Sequence, residues 1–71
     1  MKIQYDSEAD ALNILFLETT VTTQHIAEGI AIDYDSNGNL AGIEILDAVK
    51  RLGNKQVLNS VEFENIGLAV A

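Results

Sequence analysis

Cysteine and proline are both absent from this chain of 71 residues, and histidine occurs once, as His25. Without cysteine there is no disulfide, and the usual zinc staples need cysteines or several histidines. No proline-rich linker divides the chain, and no low-complexity tract or internal repeat is evident. Long apolar runs are missing too. A run such as Ile14-Leu15-Phe16-Leu17 is far too short to cross a bilayer. The opening Met1-Lys2-Ile3-Gln4-Tyr5-Asp6 lacks the basic start and apolar stretch of a secretory signal. These features point to a cytoplasmic protein with no membrane segment. Basic residues are few: four against eleven acidic ones, for a net charge of −7. Such a surface repels phosphate backbones and argues against nucleic acid as a partner, while it would attract a basic protein or a cation.

Hydrophobic residues make up 48% of the chain, too many for a disordered segment. The length suits one domain spanning residues 1–71. A domain this small buries only roughly 60% of its unfolded surface, so its stability is marginal. With disulfides and zinc excluded, better packing or self-association remains as the supplement, and the expectation is an oligomer, most simply a symmetric homodimer.

Alternation locates the strands. Ile3 and Tyr5 fall on one side of a short first strand. The polar stretch from Asp6 to Ala11 suits a tight or helical turn, with Ser7 and Asp10 at capping-box spacing. Residues 12–18 fit both periods: Leu12, Ile14 and Phe16 share a strand face, while Asn13 interrupts the helical one. The β-branched Thr19-Thr20-Val21-Thr22-Thr23 that follows favours extended structure.

The clearest signal spans residues 29–46. Ile30, Ile32 and Tyr34 alternate with Ala31, Asp33 and Asp35, and Asn37-Gly38 is a strong hairpin turn. A two-residue loop there would place Tyr34 opposite Ala41, Ile32 opposite Ile43 and Ile30 opposite Ile45. After the hairpin, Asp47 can cap a short helix over residues 48–52. Lys50 and Arg51 then stand at its C-terminal end, and Gly53 ends it. Val61-Glu62-Phe63-Glu64 alternates again and predicts a final strand, paired within the chain or with a neighbour.

Asp33, Asp35, Asn37, Gly38 and Glu44 match the spacing of a calcium-binding EF-hand loop. That loop needs a helix on each side, and here both flanks alternate as strands. A plain hairpin is the expected outcome. In that hairpin Asp33, Asp35 and Glu44 project opposite the isoleucines and form a candidate acidic patch for a basic partner. Catalysis is not indicated. His25 stands alone, no serine sits in a nucleophile elbow, and no glycine-rich phosphate loop is present. No cofactor is expected.

The segments Tyr5-Asp6-Ser7-Glu8-Ala9-Asp10-Ala11-Leu12-Asn13-Ile14 and Asp33-Tyr34-Asp35-Ser36-Asn37-Gly38-Asn39-Leu40, with Gly42-Ile43-Glu44-Ile45-Leu46-Asp47-Ala48, resemble the bacterial and archaeal domain of unknown function 2283 family. They cover about two-thirds of the chain in the family's usual order. The chain departs from the common pattern at Asn13, where an aromatic is usual, and at Val49, where serine is frequent. The resemblance implies a compact α+β domain with a turn over residues 5–11, and strand for residues 12–17. It supplies no activity; neighbouring toxin-like proteins suggest an antitoxin role by analogy.

The expectation is therefore an α+β domain: a mostly antiparallel sheet of four to five strands with one short helix. The leading functional expectation is a self-associating or protein–protein interaction module without catalytic activity. The alternatives are an antitoxin-like partner of a basic toxin, and a divalent-cation-binding protein using Asp33, Asp35 and Glu44.

Overall fold

The computed structural model describes residues 1–67. Five strands form one antiparallel sheet: β1 (Lys2–Asp6), β2 (Ala11–Leu15), β3 (Thr22–Ala27), β4 (Ile30–Tyr34) and β5 (Leu40–Leu46). A short helix, α1 (Ala48–Leu52), and a 3-10 turn at Lys55–Asn59 follow. The spatial order is β1-β2-β5-β4-β3, with β5 at the centre. The α+β class with a short helix is thus the one the residue pattern predicts.

Register explains why the sheet closes as it does. Directly opposed residues share a face, and two apolar rows cross four strands on one side. One row is Ile3, Ile14, Ile43, Ile32; the next is Tyr5, Leu12, Ile45, Ile30. The segment around residue 12 is strand because Leu12 and Ile14 complete these rows, a tertiary gain that local periodicity does not report. The same alternation gives the opposite face its two polar rows. One is Gln4, Asn13, Glu44, Ala31, His25; the other is Lys2, Leu15, Gly42, Asp33, Thr23.

The central hairpin has the expected isoleucine pairs, Ile30 with Ile45 and Ile32 with Ile43. Its tip differs from the two-residue loop. Tyr34 pairs with Leu40 rather than Ala41, and the register shifts beside it. The Asp35 N–H donates to Asn39 O (2.9 Å) and the Gly38 N–H to Asp35 O (3.1 Å). Gly38 is left-handed (φ 81°) and Asn37 is not, so the primed turn that needs both in that region does not form. The longer loop wins because the Asp35 carboxylate accepts from the Asn37 and Asn39 N–H groups and from the Asn39 side chain. Ala41 then stands as the extra residue that restores the register. It is buried, and its carbonyl accepts from the N–H groups of Phe16 and Leu17 at the end of β2.

Helix α1 occupies the expected residues, with Lys50 and Arg51 in its last turn and a left-handed Gly53 after it. Asp47 holds the N-cap position but is itself left-handed (φ 52°), and its side chain makes no cap bond. The capping carboxylate comes from Asp10, 39 residues from Val49, whose N–H it accepts at 3.0 Å. In the turn before β2, Asp6 rather than Ser7 accepts the free N–H groups, those of Glu8 and Ala9.

The strand expected over residues 61–64 does not form: these residues have no ladder partner within the described chain. Alternation makes a segment fit a sheet edge without providing one. Among the described residues no large side chain is completely buried; the buried apolar residues are Ala31, Ala41 and Ala48.

Candidate functional site

The polar face carries the candidate acidic patch, and the fold treats its three members differently. Asp33 and Glu44 lie on adjacent strands, diagonal to each other, because Glu44 pairs with Ala31 and Asp33 with Gly42. Both partners of the acids are small. The Ala31 side chain leaves a cleft of ≈ 110 Å³ bounded by His25, Ala31, Glu44 and Leu46. Gly42 leaves room for the Asp33 carboxylate, whose Oδ1 accepts from the Thr23 hydroxyl at 2.5 Å. Asp35 stands apart at the hairpin tip, where its carboxylate is engaged by turn N–H groups.

These environments shift the acids in opposite directions. Glu44 is raised above the usual glutamate range. The Asp33 carboxyl beside it favours its protonated form, partial desolvation adds to this, and His25 opposes it. Asp35 is lowered, first by the Asn39 N–H and side chain and then by the Asn37 N–H, all of which bond to the ionised form. The sign for Glu44 is clear: a raised native pKa favours folding below the ordinary glutamate value, and that contribution is lost as pH rises through the raised value. Glu44→Gln removes the titration. Its stability relative to the wild type should rise between about pH 4 and about pH 7. Urea midpoints at the two pH values measure this, and an unchanged difference would rule out the Asp33–Glu44 opposition.

The EF-hand spacing does not become an EF-hand site. Both flanks are strands, Asp35 is committed to the turn, and Asp33 and Glu44 sit on neighbouring strands. Among the described residues, no three His, Cys, Asp or Glu side chains gather closely enough to hold a metal ion.

Sequence reasoning missed three features. Asp10 bridges the Tyr5 hydroxyl, which donates to it at 2.7 Å, and the start of α1. Tyr5 and Asp10 both stand in the first family-like segment, but nothing local signals their link to Val49. Arg51, expected only to complement the helix end, donates from Nε to Leu46 O (3.0 Å) and from Nη2 to Glu28 O. It thereby ties α1 to the end of β5 and to the β3–β4 turn.

The third feature is apolar. The residues after α1 lie over the β1–β2 half of the isoleucine face without closing on it. One open cleft of ≈ 490 Å³ is lined by Met1, Ile3, Val61 and Phe63. A second, of ≈ 470 Å³, shares Ile3 and Val61 and continues between Tyr5, Leu12 and Ile14 on the sheet and Leu58 opposite. Exposed large hydrophobic residues line the first cleft, with Met1 72%, Val61 66% and Phe63 72% exposed. None of the residues lining these two clefts is acidic, although the chain is.

Comparison with known proteins agrees with the residue-level resemblance. The family described as "Protein of unknown function (DUF2283)" matches residues 2–48, which hold the whole sheet and the first residue of α1. An uncharacterised protein of Methanocaldococcus jannaschii is 35% identical over a 71-residue alignment covering 94% of this chain and 60% of that protein. The chain thus spans about three-fifths of the length of this curated relative. No solved structure matches. With its two signature segments forming the β1–β2 turn and the β4–β5 hairpin, the chain belongs to the DUF2283 family of proteins of unknown function.

Proposed function

We propose that the protein is a self-associating interaction module, at least dimeric in its working form, and not an enzyme. The supporting observation is its surface. Monomeric proteins of 7.7 kDa expose roughly 4,300 Å² on the usual size scaling, whereas this chain exposes 5628 Å². The surplus exceeds the roughly 800 Å² that each partner contributes to a standard interface. Shape agrees. The radius of gyration is 14.0 Å where a compact chain of this length has about 11 Å, and the thinnest dimension is 18 Å. One sheet with a partial second layer leaves apolar groups in water, and a second copy supplies the missing cover.

Sedimentation equilibrium from low micromolar to near-millimolar concentration tests this. The expected result is a mass of two or more chains; a single-chain mass throughout the range would refute it.

A second reading rests on charge. Lys2–Glu18 is the one ion pair found among the described residues, so most of the acidic excess is not neutralised internally. A basic protein partner on the Asp33–Glu44 face, as in an antitoxin, would account for that excess. Asp33→Asn with Glu44→Gln would weaken such binding without altering self-association.

A further inference from the structure

The two open clefts meet at Ile3 and Val61 and form one apolar trough along β1. The chain's own C-terminal segment is a wall of that trough, since Val61 and Phe63 line it. A wall cannot also fill the space it bounds. The apolar lining of the trough stays in contact with water, a cost that a covering apolar surface removes.

The same segment leaves its large apolar side chains mostly in water. Ser60 is extended (φ −152°, ψ 152°), and among the described residues no backbone hydrogen bond outside helices and strands links residues 60–66 to the sheet. Val61, Phe63 and Ile66 are largely exposed, and Glu62 and Glu64 alternate with the first two. Among the described residues, Val61 and Phe63 therefore border an open apolar slot while remaining largely in water themselves.

We infer that, in the self-associated form proposed above, residues 61–66 of each copy seat Phe63 in the β1 trough of the other about a two-fold axis. This rests on the self-association reading and specifies its surface. A surface carrying both slot and insert is self-complementary, and two such contacts close a symmetric pair with no free insert left over. Charge favours the same surface. The chain carries −7, so two copies approach with least repulsion where the lining holds no acid. Glu62 and Glu64 alternate with Val61 and Phe63, so a segment that turns Val61 and Phe63 toward a partner leaves both glutamates in water.

Two measurements on the full chain test the seat. In sedimentation, Phe63→Asp should raise the dissociation constant at least ~30-fold, as for a central aromatic anchor. Ile26→Asp, on β3 at the opposite edge, should leave it within about twofold. Phe63 is 72% exposed, so the variant keeps its fold, which circular dichroism verifies. The absence of cysteine allows a second measurement, oxidation of the Ile3→Cys, Phe63→Cys double variant. The expected product is a covalent two-chain species; a covalent single chain would mean that the segment closes on its own β1, and would overturn the inference. A wild type that is a dimer, with Phe63→Asp still dimeric and Ile26→Asp dissociated, would overturn the seat and leave self-association standing. A monomeric wild type would remove both.

Discussion

Replacing Asp10 with alanine is expected to lower the unfolding free energy by about 2–4 kcal/mol, because a charge-assisted acceptor serving two distant elements is lost. The Asp10 carboxylate accepts from the Tyr5 hydroxyl at 2.7 Å and from the Val49 N–H at 3.0 Å. Its backbone carbonyl accepts from the Ala48 N–H at 3.0 Å. One residue thus satisfies two of the free N–H groups at the start of α1 and anchors β1 to it. Alanine also fits poorly at φ 51°, a left-handed position that aspartate and asparagine tolerate.

Asp10→Asn keeps the backbone preference and one acceptor oxygen, so its loss should be about 1 kcal/mol. A urea denaturation series distinguishes the two variants by midpoint at constant slope. Near-equal midpoints would mean that the carboxylate does not hold α1. Tyr5 gives an independent readout. Its hydroxyl titrates above the ordinary tyrosine range, first because of the bond to Asp10, then through desolvation and the charges of Asp10 and Asp6. A raised phenol favours folding below the ordinary tyrosine value, and this is lost as pH rises through the raised one. In Asp10→Asn the ultraviolet titration of Tyr5 should move downwards.

Gly42→Val is expected to cost about 2–3 kcal/mol, by overpacking at the centre of the sheet. Gly42 sits in β5, buried between Leu15 of β2 and Asp33 of β4. A Cβ there would stand 3.0 Å from the Ile14 carbonyl oxygen and 3.3 Å from Asp33 Oδ2. The first contact is backbone in a hydrogen-bonded ladder and cannot swing aside, so the β2–β5 spacing must widen. The second involves a side chain that can move, at the cost of its bond from Thr23. Asp33→Ala should therefore rescue part of the Gly42→Val loss, and the double variant should be less destabilised than the sum of the two. Full additivity would show that Gly42 is needed for β2 alone.

The local chemistry of several elements was legible in advance. Ile30 to Tyr34 and Leu40 to Leu46 alternate, and Asn37-Gly38 marks the bend between them, so a hairpin follows from neighbouring residues. The helix over residues 48–52 is bracketed by Asp47 and Gly53. The detail at the hairpin tip was not legible. It depends on the Asp35 carboxylate choosing the longer loop and on Ala41 being accepted as a bulge by Phe16 and Leu17, far away in the chain. Of the acidic patch, the Asp33–Glu44 approach follows from register, while the withdrawal of Asp35 follows from that same loop choice. Alternation at Val61-Glu62-Phe63-Glu64 indicated a strand, but it reports only a side-chain pattern that a sheet edge could accept.

By itself the amino-acid sequence determined the acidic charge, the absence of covalent staples, the positions of the first and last hairpin strands and the short helix. Each of these rests on composition or on residues a few positions apart. Only the tertiary structure decided that Asp10 caps α1, that Arg51 ties it to the β3–β4 turn, and that Val61 and Phe63 wall an apolar trough without filling it. Those outcomes depend on which distant groups meet and on how much apolar surface one thin sheet can cover, and a periodicity of two or 3.6 carries neither quantity.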